Sequence, residues 1–416
     1  MADAPLSLLW LIDFDPRAGM QHGGALRWFN YSRELISRGH RVCFSVNRGT
    51  AAPDTDDVRA FLDRLRAEGR LSGWGETHYG FPRRLGKGAH LLAHPGLTNR
   101  VLGRFQEEAT AAVEDLVAVN RADAVVISDR LLLFLTPRLR PRVPVVVDWC
   151  DSFTLYYQRQ AAVHWKERAW RPLLQAVKRL TQSALQERYY GRRSDANVLV
   201  SPVDLHVFER VVGRRGVGRL VPNGTEMATE SSRLDKTPGR LIFTGAMGFP
   251  PNFEAAIWFI DRVLPLVVSR RPDVQFVVAG RDPVADLVRR AGPHVVVTGP
   301  VPDMREEIAR SALYVAPLVS GGGFKNKVIE ALASGTYVAG TSLAVEFLPD
   351  DIRRSLLVGD TPAALAEQVL TYLRDPVPFM TRLPSIVKAF AEEYTWARRA
   401  EVLELVIREA MRRGRG

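Results

Sequence analysis

Cysteine and lysine are both scarce in this chain. Cys43 and Cys150 are the only two cysteines in 416 residues, far apart and without metal-ligand spacing. That argues against a cysteine-based zinc site or a disulfide scaffold, and it fits a reducing compartment. No apolar run approaches the ~18 residues that a membrane span requires. The N-terminus lacks the marks of a secretory leader: Asp3 stands where positive charge belongs, and the apolar run Leu6–Ile12 stops at Asp13. No repeat of solenoid period is visible. What remains is an ordinary globular composition, 46% hydrophobic and 25% charged, which excludes a disordered or collagen-like chain. At ~100–200 residues per domain the length calls for two domains, or three at most.

Basic residues outnumber acidic ones by 57 to 46, a net charge of +11, yet only seven of the basic residues are lysine and fifty are arginine. Such an excess suits an anionic membrane surface, a phosphate-bearing substrate or nucleic acid, and an arginine-biased genome would produce it equally well. The arginines are scattered, apart from short clusters such as Arg214-Arg215, Arg353-Arg354 and the tail after Met411. No nucleic-acid module is recognisable, so nucleic acid is not an expected partner.

Short apolar, β-branched runs alternate with longer amphipathic segments. Leu6–Ile12, Arg41–Val46, Ala124–Ser128 and Val143–Trp149 read as buried strands of a parallel sheet. Leu26–Arg38 reads as a helix closed by Gly39-His40, with further helices at Arg59–Ala67 and Leu102–Val119 and one long basic helical stretch over Arg159–Tyr190. Gly69–Gly96 reads as an irregular insertion. The alternation restarts near residue 240. Strands are expected at Leu241–Phe243, Gln275–Ala279, Val295–Thr298, Tyr314–Pro317 and Tyr337–Gly340, and helices at Asn252–Ser269, Val284–Arg290, Met304–Arg310 and Asn326–Ala333. Repeated βα units imply parallel sheets covered on both faces. The expected fold is therefore α/β, with two Rossmann-like doubly wound domains facing across a cleft. Their expected limits are residues 1–205 and 239–395, joined by a linker over 206–238 and followed by a closing helix at 396–416 that returns to the first domain.

The most informative segment runs from Gly321 to Gly335. A triple glycine lies between the strand ending at Pro317 and a helix, where exposed backbone N–H groups and the helix dipole favour a phosphate. Lys327, about one turn into that helix, would reach the anion, and Glu330 follows on the same face. This division of labour gives Lys327 and Gly323 to a diphosphate and the Glu330 carboxylate to ribose hydroxyls. The competing reading is a plain helix cap with surface lysines.

Several stretches in fixed order carry a resemblance. They are Gly23-Gly24, Arg38-Gly-His-Arg-Val42, Val221-Pro-Asn-Gly224, Phe243-Thr-Gly-Ala-Met247 with Pro251-Asn252, Val278-Ala-Gly-Arg281, Val297-Thr-Gly-Pro-Val301, Lys327–Gly335 and Trp396. Together they make the chain similar to the retaining, two-Rossmann (GT-B) glycosyltransferases of the large nucleotide-sugar group, including sugar transferases found with bacterial exopolysaccharide systems. The resemblance implies a nucleoside-diphosphate sugar as co-substrate, an acceptor sugar or small molecule, and no required metal or other cofactor. It also implies same-face displacement with retention of anomeric configuration. Gly23, Gly24, Gly245 and Arg281 join Gly323, Lys327 and Glu330 as expected donor-binding residues. The chain departs from the family pattern in two places. Gly322 stands where a glutamate usually faces the donor sugar, and Ala246 stands where an arginine usually holds diphosphate.

In the first half, Gly23-Gly24 is expected in the loop before the first helix, where a simple tight turn is the alternative. Val145–Phe153 ends a strand with polar residues, and Asp148 or Asp151 takes the place of the family's histidine. Asp151 is the expected catalytic residue, orienting or deprotonating the acceptor, unless it only caps a helix. His22 and His164 are weaker candidates. Asp13-Phe14-Asp15 matches a short metal-binding pattern that this architecture does not need. The expected activity is glycosyl transfer in the cytoplasm, at the inner face of a membrane if the basic stretch Arg159–Arg193 and the tail dock on anionic lipid. A nucleotide-sugar epimerase, a phosphorylase and a non-catalytic nucleotide-binding protein are the alternatives on the same fold.

Overall fold

A computed structural model describes residues 4–12, 23–47, 55–77, 103–166, 168–226 and 235–414. The chain divides into two compact units, one formed by residues 1–224 with 396–416 and the other by 225–395.

The first unit is built on a seven-stranded parallel sheet in the order β3-β2-β1-β4-β5-β6-β7. Its strands are β1 (Ser7–Ile12), β2 (Arg41–Asn47), β3 (Gly73–Thr77), β4 (Ala124–Ile127), β5 (Val145–Cys150), β6 (Ala196–Leu199) and β7 (Gly218–Leu220). The helices that matter here are α1 (Gly23–Ser37), α2 (Thr55–Ala67), α3 (Gly103–Asn120), α4 (Phe153–Lys166), α5 (Trp170–Gly191) and α6 (Pro202–Val212). Separate apolar cores lie on the two sheet faces, as continuous runs such as Val145-Val-Val require.

Local chemistry explains the boundaries. Gly39, at φ +91°, closes α1: its N–H donates to Ile36 and that of His40 to Leu35. The ring of His40 then accepts from the Leu6 N–H and faces Glu404 of the closing helix (Trp396–Gly414). Burial works against the Glu404 charge, but Arg38, His40 and Arg408 together bring this carboxyl down to about 2. The Arg38-Gly-His-Arg-Val42 motif thus acts at the amino end of the sheet, where it packs the closing helix.

In the first unit three expectations need correction. The segment 206–238 is not simply a linker, because α6 and the edge strand β7 occupy most of its first half. Alternation was too brief there to reveal a three-residue strand. Arg159–Tyr190 is a hairpin of two helices, broken at Arg168, which takes a left-handed φ of +56°. Gly69–Gly96 contains β3, and its remainder from residue 78 lies outside the described residues.

The second unit holds a six-stranded parallel sheet in the order β10-β9-β8-β11-β12-β13. Its strands are β8 (Thr237–Thr244), β9 (Gln275–Ala279), β10 (Val295–Gly299), β11 (Ser311–Ala316), β12 (Tyr337–Gly340) and β13 (Leu357–Val358). Among its helices are α7 (Pro250–Trp258), α8 (Met304–Arg310), α9 (Asn326–Ala333), α10 (Pro362–Arg374) and α11 (Val377–Glu393). The single helix expected over Asn252–Ser269 is interrupted by a π turn at Phe259–Val263. Pro265 lacks an N–H and crowds the carbonyl four residues before it, so the turn widens there. The architecture is that of a two-Rossmann α/β protein.

Candidate active site

Strand order in the second sheet reverses between β8 and β11. β8 leads through α7 to β9 on one side, and β11 leads through α9 to β12 on the other. Doubly wound sheets bind ligands outside the carboxyl ends of their strands at such a point. Here the loop leaving β8 and the glycine loop leaving β11 converge. A Cβ placed on Gly321 would lie 3.3 Å from Pro251, and the Ser320 hydroxyl donates to Glu254 at 2.6 Å.

Lys327 is the second residue of α9, closer to its start than the spacing suggested. Its ammonium lies 4.7 Å over the Phe243 ring and donates to the Asn252 side-chain carbonyl. The Asn252 amide in turn donates to the Ala246 carbonyl at 3.0 Å. Lys327 is half-buried, and burial brings its pKa down to about 7; Glu330 opposes the shift and Lys325 adds to it. Glu330 shares the α9 face, and burial raises its carboxyl against the pull of Lys327 and Arg305.

The glycines are there for backbone reasons. Gly245 has φ +155°, and a Cβ on it would come within 3.1 Å of the Lys327 ammonium. Gly280 has φ +142°, and its Cβ would fall 1.8 Å from the Gly245 carbonyl oxygen, so the turns after β8 and β9 can touch only as glycines. Gly321 and Gly323 also take positive φ. Gly322 does not, and a Cβ there would meet nothing within 4 Å. Thus the position that departs from the family pattern opens onto free space.

Lys325, the other lysine of the motif, is not a ligand for the crevice. It is buried, donates to the Gly323 carbonyl at 2.7 Å and pairs with Glu346 at 3.3 Å, holding the glycine loop closed. Arg281 lies on the adjacent turn after β9, where its carbonyl accepts from the Met247 N–H at 2.8 Å. Its guanidinium pairs with Asp282 at 3.1 Å and is partly exposed. The second unit therefore gathers Gly245, Arg281, Gly323, Lys327 and Glu330 beyond the carboxyl ends of its inner strands β8, β9 and β11. Asn252 and Arg305 join them without having been singled out as site residues; the Pro251-Asn252 pair was visible in the sequence, but the role of its amide was not.

The first-unit candidates fare differently. Gly23 and Gly24 are the opening residues of α1, not the loop before it. Their lack of a side chain suits a helix start as well as a turn. Asp148 is sealed in an ion pair with Arg27 of α1 at 2.9 Å, both side chains essentially without exposure. It is a structural charge, unavailable to an acceptor. Arg27 also donates to Asn223 at 2.8 Å, and the Tyr31 hydroxyl donates to the Pro222 carbonyl at 2.7 Å. Gly224 lies so close to Trp396 that a Cβ would approach its N–H nitrogen to 2.5 Å. These contacts explain Val221-Pro-Asn-Gly224 and Trp396 as packing signals.

Asp151 stands just beyond β5, half-buried, with the Cys150 thiol 3.8 Å from its carboxylate. Ser152 and Glu187 hold the start of α4. Ser152 accepts from the Leu155 N–H, and Glu187 of α5 accepts from the Thr154 N–H at 3.0 Å and its hydroxyl at 2.7 Å. Burial raises the Glu187 carboxyl, while these hydrogen bonds and Arg130 oppose the shift. No motif flagged Glu187, because its role depends on a neighbour 33 residues away. His164 lies about three turns along α4, remote from the end of β5. Asp13, Asp15 and His22 lie outside the described residues. Among the described residues no group of three or more His, Cys, Asp or Glu side chains could hold a metal.

Residues 238–375, which include the whole crevice, match the sequence profile of the glycosyl transferases group 1 family. That segment is a group 1 glycosyltransferase domain. Phosphatidyl-myo-inositol mannosyltransferase of Mycobacterium tuberculosis H37Rv is 30% identical to the chain over 220 residues, which are 45% of this chain and 57% of that protein. The chain spans about half the length of the curated relatives it matches. Two solved structures share the fold. Sucrose-phosphate synthase of Thermosynechococcus elongatus superposes with a TM-score of 0.65 at 14% identity, covering 97% of this chain and 98% of its own. Anabaena Alr3699/HepE in complex with UDP gives 0.67 at 13% identity, covering 96% and 99%. The segment matching the glycosyltransferase family thus sits in a chain of two-Rossmann, GT-B fold, with its glycine loop at the switch point of the second sheet.

Proposed function

We propose that this protein transfers a glycosyl group from a nucleoside-diphosphate sugar to an acceptor nucleophile. The observation that carries this reading is the Lys327 ammonium, held at the start of α9 between the turn after β8 and the glycine loop after β11. As the glycosidic bond breaks, the anomeric carbon gains positive charge and the diphosphate leaves with added negative charge. A preorganised ammonium and helix start stabilise that leaving group more in the transition state than in the ground state. No resident metal or cofactor is needed for this step. Attack from the face of the departing phosphate gives retention, with the phosphate taking the acceptor proton and no enzyme carboxylate acting as nucleophile. Asp151 is the group we assign to orienting the acceptor. A saccharide, a lipid-linked saccharide of the kind used for exopolysaccharides, or a natural product suits that role.

The reading includes peripheral attachment to an anionic membrane from the cytoplasmic side. The net charge of +11 favours this, and none of the described helices is long and apolar enough to cross a membrane.

The test is thermal denaturation with UDP, GDP, TDP and ADP, since a ligand held by the native state alone raises its stability. One nucleotide is expected to raise the midpoint, and the matching nucleotide sugar to be consumed only when an acceptor is added. Turnover of the donor into its epimer without acceptor would replace this reading with an epimerase. Glu330→Ala is expected to weaken the nucleoside diphosphate by about tenfold, the worth of a charge-assisted hydrogen bond, while leaving inorganic pyrophosphate unaffected. Equal loss for both ligands in calorimetry would remove Glu330 from the ribose.

A further inference from the structure

Among the described residues, the largest group of exposed apolar side chains lies on a basic element, the α4–α5 hairpin. From Phe153 to Arg188 the chain carries seven Arg or Lys residues and two acids, Glu167 and Glu187. Glu187 is buried beneath the start of α4. Eleven large hydrophobic side chains are exposed among the described residues, and four of them lie here: Trp165 at 64%, Trp170 at 59%, Leu174 at 70% and Val177 at 44%. Trp165 and Trp170 meet edge to face across the turn, ring centroids 5.8 Å apart.

Spacing makes this a surface and not four isolated side chains. Trp170, Leu174 and Val177 recur at i, i+4 and i+7, so they form one stripe on α5. The face that packs inward is a different one, marked by the buried Ala176, Ser183, Glu187 and Tyr190. Lys166, Arg168, Arg171 and Lys178, all exposed, flank the stripe and the turn. A contiguous apolar patch rimmed by charge marks a docking surface. Tryptophan favours the boundary between headgroups and acyl chains, and the cations match an anionic leaflet.

We propose that the tip of the α4–α5 hairpin inserts Trp165 and Trp170 into the interface of an anionic bilayer, with Leu174 and Val177 following along α5. This rests on the reading that the protein attaches to such a membrane. It adds that apolar insertion at one named place, not diffuse charge, holds it there.

Sedimentation of the full chain with vesicles tests both levels. Vesicles of phosphatidylcholine containing about a third phosphatidylglycerol should carry the wild type down, and pure phosphatidylcholine should carry far less. W165A/W170A should lower the partition coefficient on the anionic vesicles at least tenfold while nucleoside-diphosphate binding and thermal midpoint stay as in wild type. W165F/W170F keeps the apolar surface, so it should retain most of the partition but lose fluorescence quenching by lipids brominated in the acyl chain. If W165A/W170A partitions like wild type, the insertion is overturned while membrane attachment stands. If wild type stays in the supernatant with anionic vesicles, the attachment reading fails and the insertion with it. Self-association that disappears in W165A/W170A, without vesicle binding, would assign the stripe to a second copy of the chain and overturn the proposal.

Discussion

Lys327→Ala is expected to remove most glycosyl transfer and to weaken nucleotide-sugar binding by about 10- to 150-fold, the equivalent of roughly 1.5–3 kcal/mol for a charge-assisted contact. The wild type should also show a pH signature that the variant lacks. Burial brings the Lys327 ammonium down to about 7 against the pull of Glu330. An arriving diphosphate favours the charged form, so above that pH each binding event takes up a proton. A nucleotide sugar has no proton of its own to lose in this range. Affinity should therefore be greatest at and below pH 7. It should fall as pH rises, by at most about tenfold per unit, until the lysine of the complex itself titrates. Calorimetry in two buffers of different ionisation enthalpy measures the proton uptake directly. A flat profile between pH 7 and 9, or equal proton uptake by Lys327→Ala, would take this lysine out of the diphosphate site.

Arg27→Ala is expected to cost the most in stability, about 3–5 kcal/mol, because it leaves a buried carboxylate without its partner. Arg27 is fully buried and Asp148 only 4% exposed. Burial works against the guanidinium charge, but Asp148 and Tyr31 outweigh it, so Arg27 titrates above its usual range. The variant also strips a donor from Asn223, loosening the contacts around Pro222. Replacing both members of the pair with apolar residues should recover much of the loss, since the unmet charge, and not the missing bond, dominates the cost. Urea denaturation of the single and double variants measures this. A loss below about 1 kcal/mol for Arg27→Ala would mean that water reaches Asp148.

Asp148 shows how a residue can be correctly located and wrongly employed. Its position at the end of a buried strand followed from the Val145-Val-Val run and the polar residues after it. Its partner, 121 residues earlier on α1, did not, because ion pairing between a helix and a distant strand leaves no trace in local spacing. The two lysines of the glycine segment make the same point in miniature. Lys325 and Lys327 are two residues apart, yet one is locked to Glu346 and the other faces the crevice. Their separate fates depend on which side of the α9 start each backbone position presents, and on a carboxylate 21 residues away.

Periodicity and punctuation sufficed to read the alternating βα order, the turn at Gly39 and the glycine segment that opens α9. Each of these depends on residues within a few positions of one another, where steric and hydrogen-bonding rules act directly. Folding alone supplied strand order, hence the switch point that brings the β8 turn to the β11 loop. It also brought Asn252 to Lys327 and converted one expected basic helix into a hairpin with a tryptophan tip. Those outcomes depend on contacts between distant segments, whose free energy comes from burial and pairing that no local window of sequence contains.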